Sequence, residues 1–300
     1  MKQAVHAVEN AYLDDAYPYA VFDKAISQMA DLCRLKLKED GYGTDNQTAK
    51  LITIFRFMSD TIRVKHPQSK KAVVHYPFQY DFEDFSGERD WTKLFVSKLI
   101  SSGGGQCHSL PLLYLILSEE LNAKAHLAFS PSHTYIKFAD ERGQWTNLEL
   151  TNGRITSDHF IIGSGFIKAE AIRSKIYMQP LSSQQTVAQC IAELGQGYAR
   201  KFGYDAFVLQ CLNKALQHHS ENIYALQLKA NYYSHLLRYI GKQLHYPQSL
   251  QPYPKAMAVL NQMHALHQQV EDAGYAEMPK EAYQAWLHAV EAAKNKQAKK

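Results

Sequence analysis

The stretch SSGGGQCHSLP, residues 101–111, interrupts an apolar pattern of helical periodicity that extends from Leu94 to Leu121. Proline is tolerated in the first turn of a helix, where its missing N–H does little harm. Pro111 therefore predicts that a second helix opens here and continues through Leu121, with Cys107 close to its N-terminus. At that position the helix dipole and the unpaired N–H groups favour a thiolate, lowering a cysteine pKa from about 8.5.

Two short alternating strands are predicted next, over residues 134–138 and 145–150, joined by the charged turn DERG at 140–143. Alternation separates an apolar face, which carries Ile136, Phe138, Leu148 and Leu150, from a polar face, which carries His133, Tyr135, Asn147 and Glu149. A hairpin centred on Glu141 predicts that His133 lies opposite Glu149. Asn147 is then expected opposite Tyr135, one pair nearer the turn.

A cysteine at a helix start, a histidine opening a strand and a carboxylate on the next strand are the residue types of a catalytic triad. Cys107 is the candidate nucleophile, His133 the base that takes or shares its proton, and Glu149 the group that orients the imidazole. Asn147 is the alternative third member, in a papain-like Cys-His-Asn arrangement. Backbone N–H groups near Cys107 are candidates to hold an oxyanion. Side chains chosen by type as oxyanion or pocket residues are Gln106, His108, Tyr76, Tyr80 and Trp91.

At these residues the chain resembles the transglutaminase-like superfamily of cysteine hydrolases and acyltransferases. The shared pattern is a glycine-rich run before a cysteine (residues 103–107), a histidine on a strand (His133), and Trp145 followed four residues later by Glu149. The resemblance implies an α+β, papain-like core in which the helix carrying the cysteine packs on a small antiparallel sheet. It also implies attack by the cysteine on an amide or thioester carbonyl. The family most often has aspartate where this chain has Glu149.

Glycine content and hydrophobic periodicity change near Pro180: ten of the 15 glycines precede it, and long helical patterns follow it. Two domains are predicted, a core with N-terminal helices over residues 1–180 and an all-α domain over 181–300. Helical spacing also marks residues 20–64, whereas 73–85 has no clear period. The later helices are expected at 182–201, 204–219, 221–240, 253–271 and 279–295. Their succession resembles a tetratricopeptide-like array, with a plain helical bundle as the alternative.

Composition excludes several classes of protein. With 46% hydrophobic and 21% charged residues, the chain has the composition of a water-soluble protein. The net charge of +4 is smaller than is usual for a nucleic-acid binder, and no apolar run approaches the length of about 20 residues that spans a bilayer. The N-terminus lacks the apolar stretch of a signal peptide, so the chain as written is expected in the cytoplasm, or exported if it has been trimmed.

Neither a metal nor a cofactor is predicted. The four cysteines are far apart without a C-x-x-C pair, which indicates neither a disulfide framework nor a zinc knuckle. A zinc site through Cys107, His108 and His133 would lack a ligand pair of familiar spacing.

Three functional hypotheses follow. The first is a cysteine hydrolase, a peptidase or amidase acting on a peptide or protein substrate, which becomes a transamidase if an amine replaces water. The second is a catalytically inactive scaffold whose helical half binds a protein or peptide partner. In the third, Cys107 is an ordinary small buried residue, which is the usual role of a free cysteine.

Overall fold

The computed structural model describes residues 1–65 and 71–297. The helices are α1 (Lys2–Tyr12), α2 (Tyr19–Glu39), α3 (Gln47–Ser59), α4 (Val96–Ser102), α5 (Ser109–Glu120), α6 (Asp158–Gly165), α7 (Ala169–Arg173), α8 (Ser183–Phe202), α9 (Ala206–His218), α10 (Ile223–Gln243), α11 (Pro254–Asp272) and α12 (Lys280–Gln297). The strands are β1 (Ile62–Lys65), β2 (Ala72–His75), β3 (Gln79–Tyr80), β4 (Gly104–Gly105), β5 (His126–Ser130), β6 (His133–Ala139), β7 (Trp145–Glu149) and β8 (Arg154–Thr156). A helix-rich chain with small sheets confirms the coarse α+β class.

Helix α5 is the centre of the core. Every residue from Ser109 to Ser118 is buried, because α2, α3 and α4 and the strands β5 and β6 all pack against it. A helix that is apolar on all sides is stable only when it is enclosed in this way. Pro111 is the third residue of α5, which confirms the predicted start of the helix just after Cys107.

The main sheet is antiparallel, in the order β5-β6-β7-β8. The chain after α7 covers its β5 edge, where the Met178 N–H donates to the Phe129 carbonyl at 2.9 Å and the Leu181 N–H to the Leu127 carbonyl at 2.8 Å. The two other pairs are small: β1 with β2, antiparallel, and β3 with β4, parallel. In the parallel pair, β4 ends two residues before Cys107, and its pairing with β3 fixes the backbone that leads to the cysteine.

The predicted hairpin forms between β6 and β7, but the predicted register is wrong by two residues. Lys137 pairs with Asn147 and Ala139 with Trp145, so the turn is centred on Arg142 rather than Glu141. The polar face keeps its predicted members because the shift is even. Asn147 therefore does not lie opposite Tyr135, and His133 does not lie opposite Glu149.

The turn itself explains the shift. The Asp140 N–H donates to the Gln144 carbonyl at 3.0 Å, and the Asp140 carboxylate accepts from the N–H groups of Arg142 and Gln144, each at 2.9 Å. Gly143 adopts a φ of 78°, which glycine permits at little cost. Apolar alternation fixes only which face a residue occupies, whereas this loop sets the register.

Other elements depart from the sequence-based expectation. The helical pattern assigned to residues 20–64 ends early, because Ile62 begins strand β1 rather than continuing α3. The segment 73–85 contributes β2 and β3. The five helices expected after Pro180 are confirmed as α8 to α12, with ends that agree within about three residues.

Helices α8 to α11 pack on one another in chain order, α8 with α9, α9 with α10 and α10 with α11. A small buried cluster lies among α8, α9 and α10, and includes Ala192, Leu212 and Leu228. The larger cluster of the core extends past Pro180 and includes Leu226 and Leu266. Within residues 1–65 and 71–297, no helix is both long and apolar enough to span a membrane.

Candidate active site

Cys107 lies in the short connection between β4 and α5 and is partly exposed. The connection is held from both sides. The Thr134 hydroxyl donates to the Cys107 carbonyl, and Lys98 Nζ donates to the Gly104 carbonyl at 2.9 Å while contacting the Asp81 carboxylate. The thiol is thereby presented at the N-terminal end of a buried helix.

The structure brings Cys107, His133 and Glu149 together. His133 lies close enough to the Cys107 thiol to lower its pKa, and His133 Nε2 lies 2.5 Å from Glu149 Oε2. Because Nε2 is engaged by Glu149, Nδ1 is the ring atom left for the thiol. The order of the three groups is that of a nucleophile, its base and the residue that orients the base.

The two-residue register shift explains how glutamate fits this chain. Continuing the observed pairing by one residue sets Glu149 opposite Tyr135, so His133 is its diagonal neighbour on the same face. Diagonal neighbours are about 7–8 Å apart, a distance that only long side chains can bridge. The Glu149 carboxylate is fixed from behind by Thr151, whose N–H and hydroxyl donate to Oε1 at 3.0 and 2.7 Å.

The electrostatics of the three groups favour a thiolate–imidazolium pair. Burial alone would raise the pKa of the Cys107 thiol, but the hydrogen bond and charge of His133 lower it below its ordinary value, with His108 contributing. Burial alone would lower the pKa of His133, but Cys107 and Glu149 raise it to about 10. The pKa of Glu149, which burial would raise, is lowered by His133 and Thr151. All three shifts favour the form in which the imidazole holds the proton.

The amide nitrogen of Asn147, the alternative third member, is bonded to groups other than His133. Its Nδ2 donates to Asp158 Oδ1 at 2.8 Å and to the Thr156 carbonyl at 3.3 Å. The His133 imidazole is therefore hydrogen-bonded by Glu149 and not by the Asn147 amide.

The ring nitrogens of His108 are likewise bonded to groups other than the thiol. Its Nδ1 lies 2.9 Å from the Leu94 carbonyl oxygen and its Nε2 lies 2.9 Å from Glu193 Oε1 on α8. With both ring nitrogens engaged elsewhere, His108 is available neither as a base nor as a zinc ligand beside Cys107. It occupies the N-cap position of α5, but its side chain makes no capping bond there.

The remaining pocket candidates separate into two groups. Tyr80 belongs to the site, since burial and the nearby Cys107 and Glu149 raise the pKa of its hydroxyl. Gln106 is fully buried, and neither polar atom of its amide has a hydrogen-bond partner among the described residues. Trp91 instead packs on α8, where the Arg200 guanidinium carbon lies 4.5 Å from the ring centroid. Tyr76 is 71% exposed.

Three residues around the site were not predicted. Thr134 and Thr151 carried a weak local signal, because each lies within two residues of a candidate and threonine often hydrogen-bonds nearby backbone. Glu193 carried no such signal, because it follows His108 by 85 residues and reaches it only through the packing of α8.

Comparisons with protein-family models, with curated proteins and with solved structures found no match to this chain. The chemistry is therefore inferred from the residues themselves.

Proposed function

We propose that this protein is a cysteine acyl-transfer enzyme that hydrolyses an amide bond of a peptide or protein. The observation that carries the proposal is the grouping of Cys107, His133 and Glu149 at the start of a buried helix, with His133 bonded to Glu149 and acting on the thiol. Arrangements of this kind activate a thiol in cysteine hydrolases on unrelated folds. A papain-like, transglutaminase-like core is part of the proposal, supported by the order of the elements: the cysteine helix first, then the antiparallel hairpin carrying histidine and carboxylate.

The reaction follows from the positions of the protons. The Cys107 thiolate attacks the amide carbonyl carbon, and backbone N–H groups near Cys107 are the candidates to hold the resulting oxyanion. The His133 imidazolium gives its proton to the leaving amine as the carbon–nitrogen bond breaks, leaving a thioester on Cys107. Neutral His133 then takes a proton from water, which attacks the thioester and releases the acid and the Cys107 thiolate, so that the thiolate–imidazolium pair is restored. An amine in place of water gives transamidation.

A scaffold that binds a partner through its helices is the second candidate. The observation in its favour is an exposed aromatic cluster on α8 and α9, in which the Tyr198 ring lies 4.9 Å from Phe202 and 4.7 Å from Phe207. Phe202 is 66% exposed, although large aromatic rings usually gain by burial.

Selective alkylation of the cysteines at pH 6.5 distinguishes the two candidates. Cys107 is expected to react with iodoacetamide at this pH because its pKa is lowered. The other three thiols are internal controls, since burial raises the pKa of Cys33, Cys190 and Cys211. Peptide mapping by mass spectrometry assigns each adduct.

Two variants complete the test. Cys107→Ser removes little volume, so it should melt at nearly the wild-type temperature yet form no thioester adduct with an activated acyl substrate. His133→Ala should raise the thiol pKa toward about 8.5 and slow alkylation between pH 6 and 7. Equal alkylation of all four cysteines in the folded wild type, or partner binding without any acyl adduct, would favour the scaffold.

A further inference from the structure

A second histidine–carboxylate pair lies directly beside the nucleophile. His108 follows Cys107 in the chain, and its imidazole is clamped between the Leu94 carbonyl and Glu193, each at 2.9 Å. Glu193 belongs to α8, in the helical half of the protein. The side chains of His108 and Glu193 are 27% and 9% exposed, so water screens this pair poorly.

Glu193 is itself fixed by a buried polar chain within the helical half. Gln189 Nε2 donates to Glu193 Oε1 at 2.9 Å, and Asn222 Nδ2 donates to Gln189 Oε1 at 2.9 Å. The Asn222 side chain also caps α10 by accepting from the Ala225 N–H at 3.0 Å. Gln189 and Asn222 are buried, so each hydrogen bond is costly to leave unmade.

The surroundings of His108 favour its protonated form. Burial alone would lower the pKa of His108, but the charge and hydrogen bond of Glu193, with the Leu94 carbonyl and Cys107, raise it to about 9. Glu9 on α1 also faces the imidazole, and its carboxylate accepts from the N–H groups of Val96 and Ser97 at 2.6 and 2.9 Å. Burial raises the pKa of Glu9, so Glu193 and the Cys107 thiol are the groups whose negative charge raises the pKa of the ring.

We propose that Glu193 is a positioning residue for Cys107: it holds a cationic His108 beside the thiol, so that the helical half contributes to the active site. This proposal rests on the role of Cys107 as the nucleophile. His133 and His108 then have separate tasks. His133 exchanges a proton during the reaction, whereas His108, with both ring nitrogens engaged, keeps its charge throughout and favours the thiolate by proximity.

Substituting Glu193→Gln tests the proposal in the full-length chain. Glutamine keeps the size of the side chain and removes its charge, so His108 should lose its proton near neutral pH. A nearby unit charge shifts a pKa by about one to three units. At the lower end of that range, the rate of Cys107 alkylation by iodoacetamide at pH 6 should fall about tenfold, with the pH profile displaced upward by about one unit.

Two further variants control for other effects. Glu221→Gln removes the same charge from an exposed position of the helical half and should leave the alkylation profile of Cys107 unchanged. His108→Gln should displace the profile in the same direction as Glu193→Gln. Because each substitution acts by removing the same positive charge, that of His108, the double variant should show no larger displacement than either single variant. Additive displacements would overturn the proposal.

A direct measurement covers the case in which these variants do not fold. In the wild type, the His108 ring followed by NMR should remain protonated above pH 8, and titration near 6.5 would overturn the proposal. Failure of the proposed function looks different. If Cys107 were not a nucleophile, the wild type itself would show no selective alkylation, whereas failure of this inference leaves the wild-type profile intact and the Glu193→Gln profile identical to it.

Discussion

At the scale of single residues, the structure explains why position 149 holds glutamate rather than the shorter aspartate. The carboxylate reaches His133 diagonally across two strands, and the extra methylene of glutamate covers the distance. Glu149→Asp should therefore lose the hydrogen bond to the imidazole while keeping the charge. Glu149→Gln should keep the reach but lose the charge that raises the pKa of His133.

Both variants should weaken acyl transfer, and their pH profiles should show why. When His133 loses the support of Glu149, its pKa falls and the thiol pKa rises, so less thiolate is present at pH 6.5. Loss of an oriented base costs on the order of 10²-fold in rate. Alkylation of Cys107 and thioester formation measure the two effects. Glu141→Gln, on the exposed turn of the same hairpin, is the matched control, and an unchanged rate in Glu149→Asp would refute the diagonal geometry.

The candidate residues themselves could be found from the sequence because each is marked by its neighbours. Cys107 precedes a proline that fixes a helix start, and His133 and Glu149 alternate with apolar residues on adjacent strands. Glu193 could not be found in this way, because only the packing of α8 brings it to His108. Local patterns identify groups held by the same element, whereas contacts between distant helices depend on the whole core.

At the scale of elements, β4 and the start of α5 allow a matched pair of substitutions. A Cβ at position 105 would lie 2.7 Å from Ser109 Oγ and 2.9 Å from Leu99 Cδ1. Ser109 Oγ accepts from the Gln106 N–H at 3.1 Å, a bond within the turn that carries Cys107. Gly105→Ala should therefore displace this turn and destabilise the protein by about 1–3 kcal/mol.

Gly104→Ala is the natural control for this prediction. A Cβ at position 104 would have its nearest neighbour, the Asp81 Cβ, at 3.5 Å, an ordinary contact. The thermal midpoint should thus fall for Gly105→Ala and stay close to the wild-type value for Gly104→Ala. Alkylation of Cys107 should slow only in the former. Equal behaviour of the two variants would mean that the packing under β4 is not what positions the thiol.

The hairpin shows where prediction from sequence stops at this scale. The alternation of apolar residues assigns each side chain to a face, and the observed register preserves those faces. The exact pairing depends on how Asp140 and Gly143 close the turn, and a shift of two residues leaves the alternation unchanged. A face can therefore be predicted from periodicity, but an opposite neighbour cannot.

At the scale of the whole molecule, the two predicted domains share one buried core. Residues of α8, α10 and α11 join the same apolar cluster as α5, and α1 packs along α8. Polar contacts cross the boundary as well, since Lys201 Nζ donates to the Tyr12 carbonyl at 2.6 Å and Glu193 meets His108. The five later helices were predictable from their own periodicity, but their attachment to the core was not.

A chain ending at residue 181 should consequently fail to fold as an independent unit. Its exposed face would include apolar residues that now pack against Leu226 and Leu266, and His108 would lose Glu193. We expect aggregation or a non-cooperative thermal transition, measured by light scattering and circular dichroism. Coexpression with residues 182–300 should restore a soluble complex in which Cys107 is alkylated selectively at pH 6.5. A truncated chain that melts cooperatively and labels like the full-length protein would show instead that the helical half is an accessory to a complete active site.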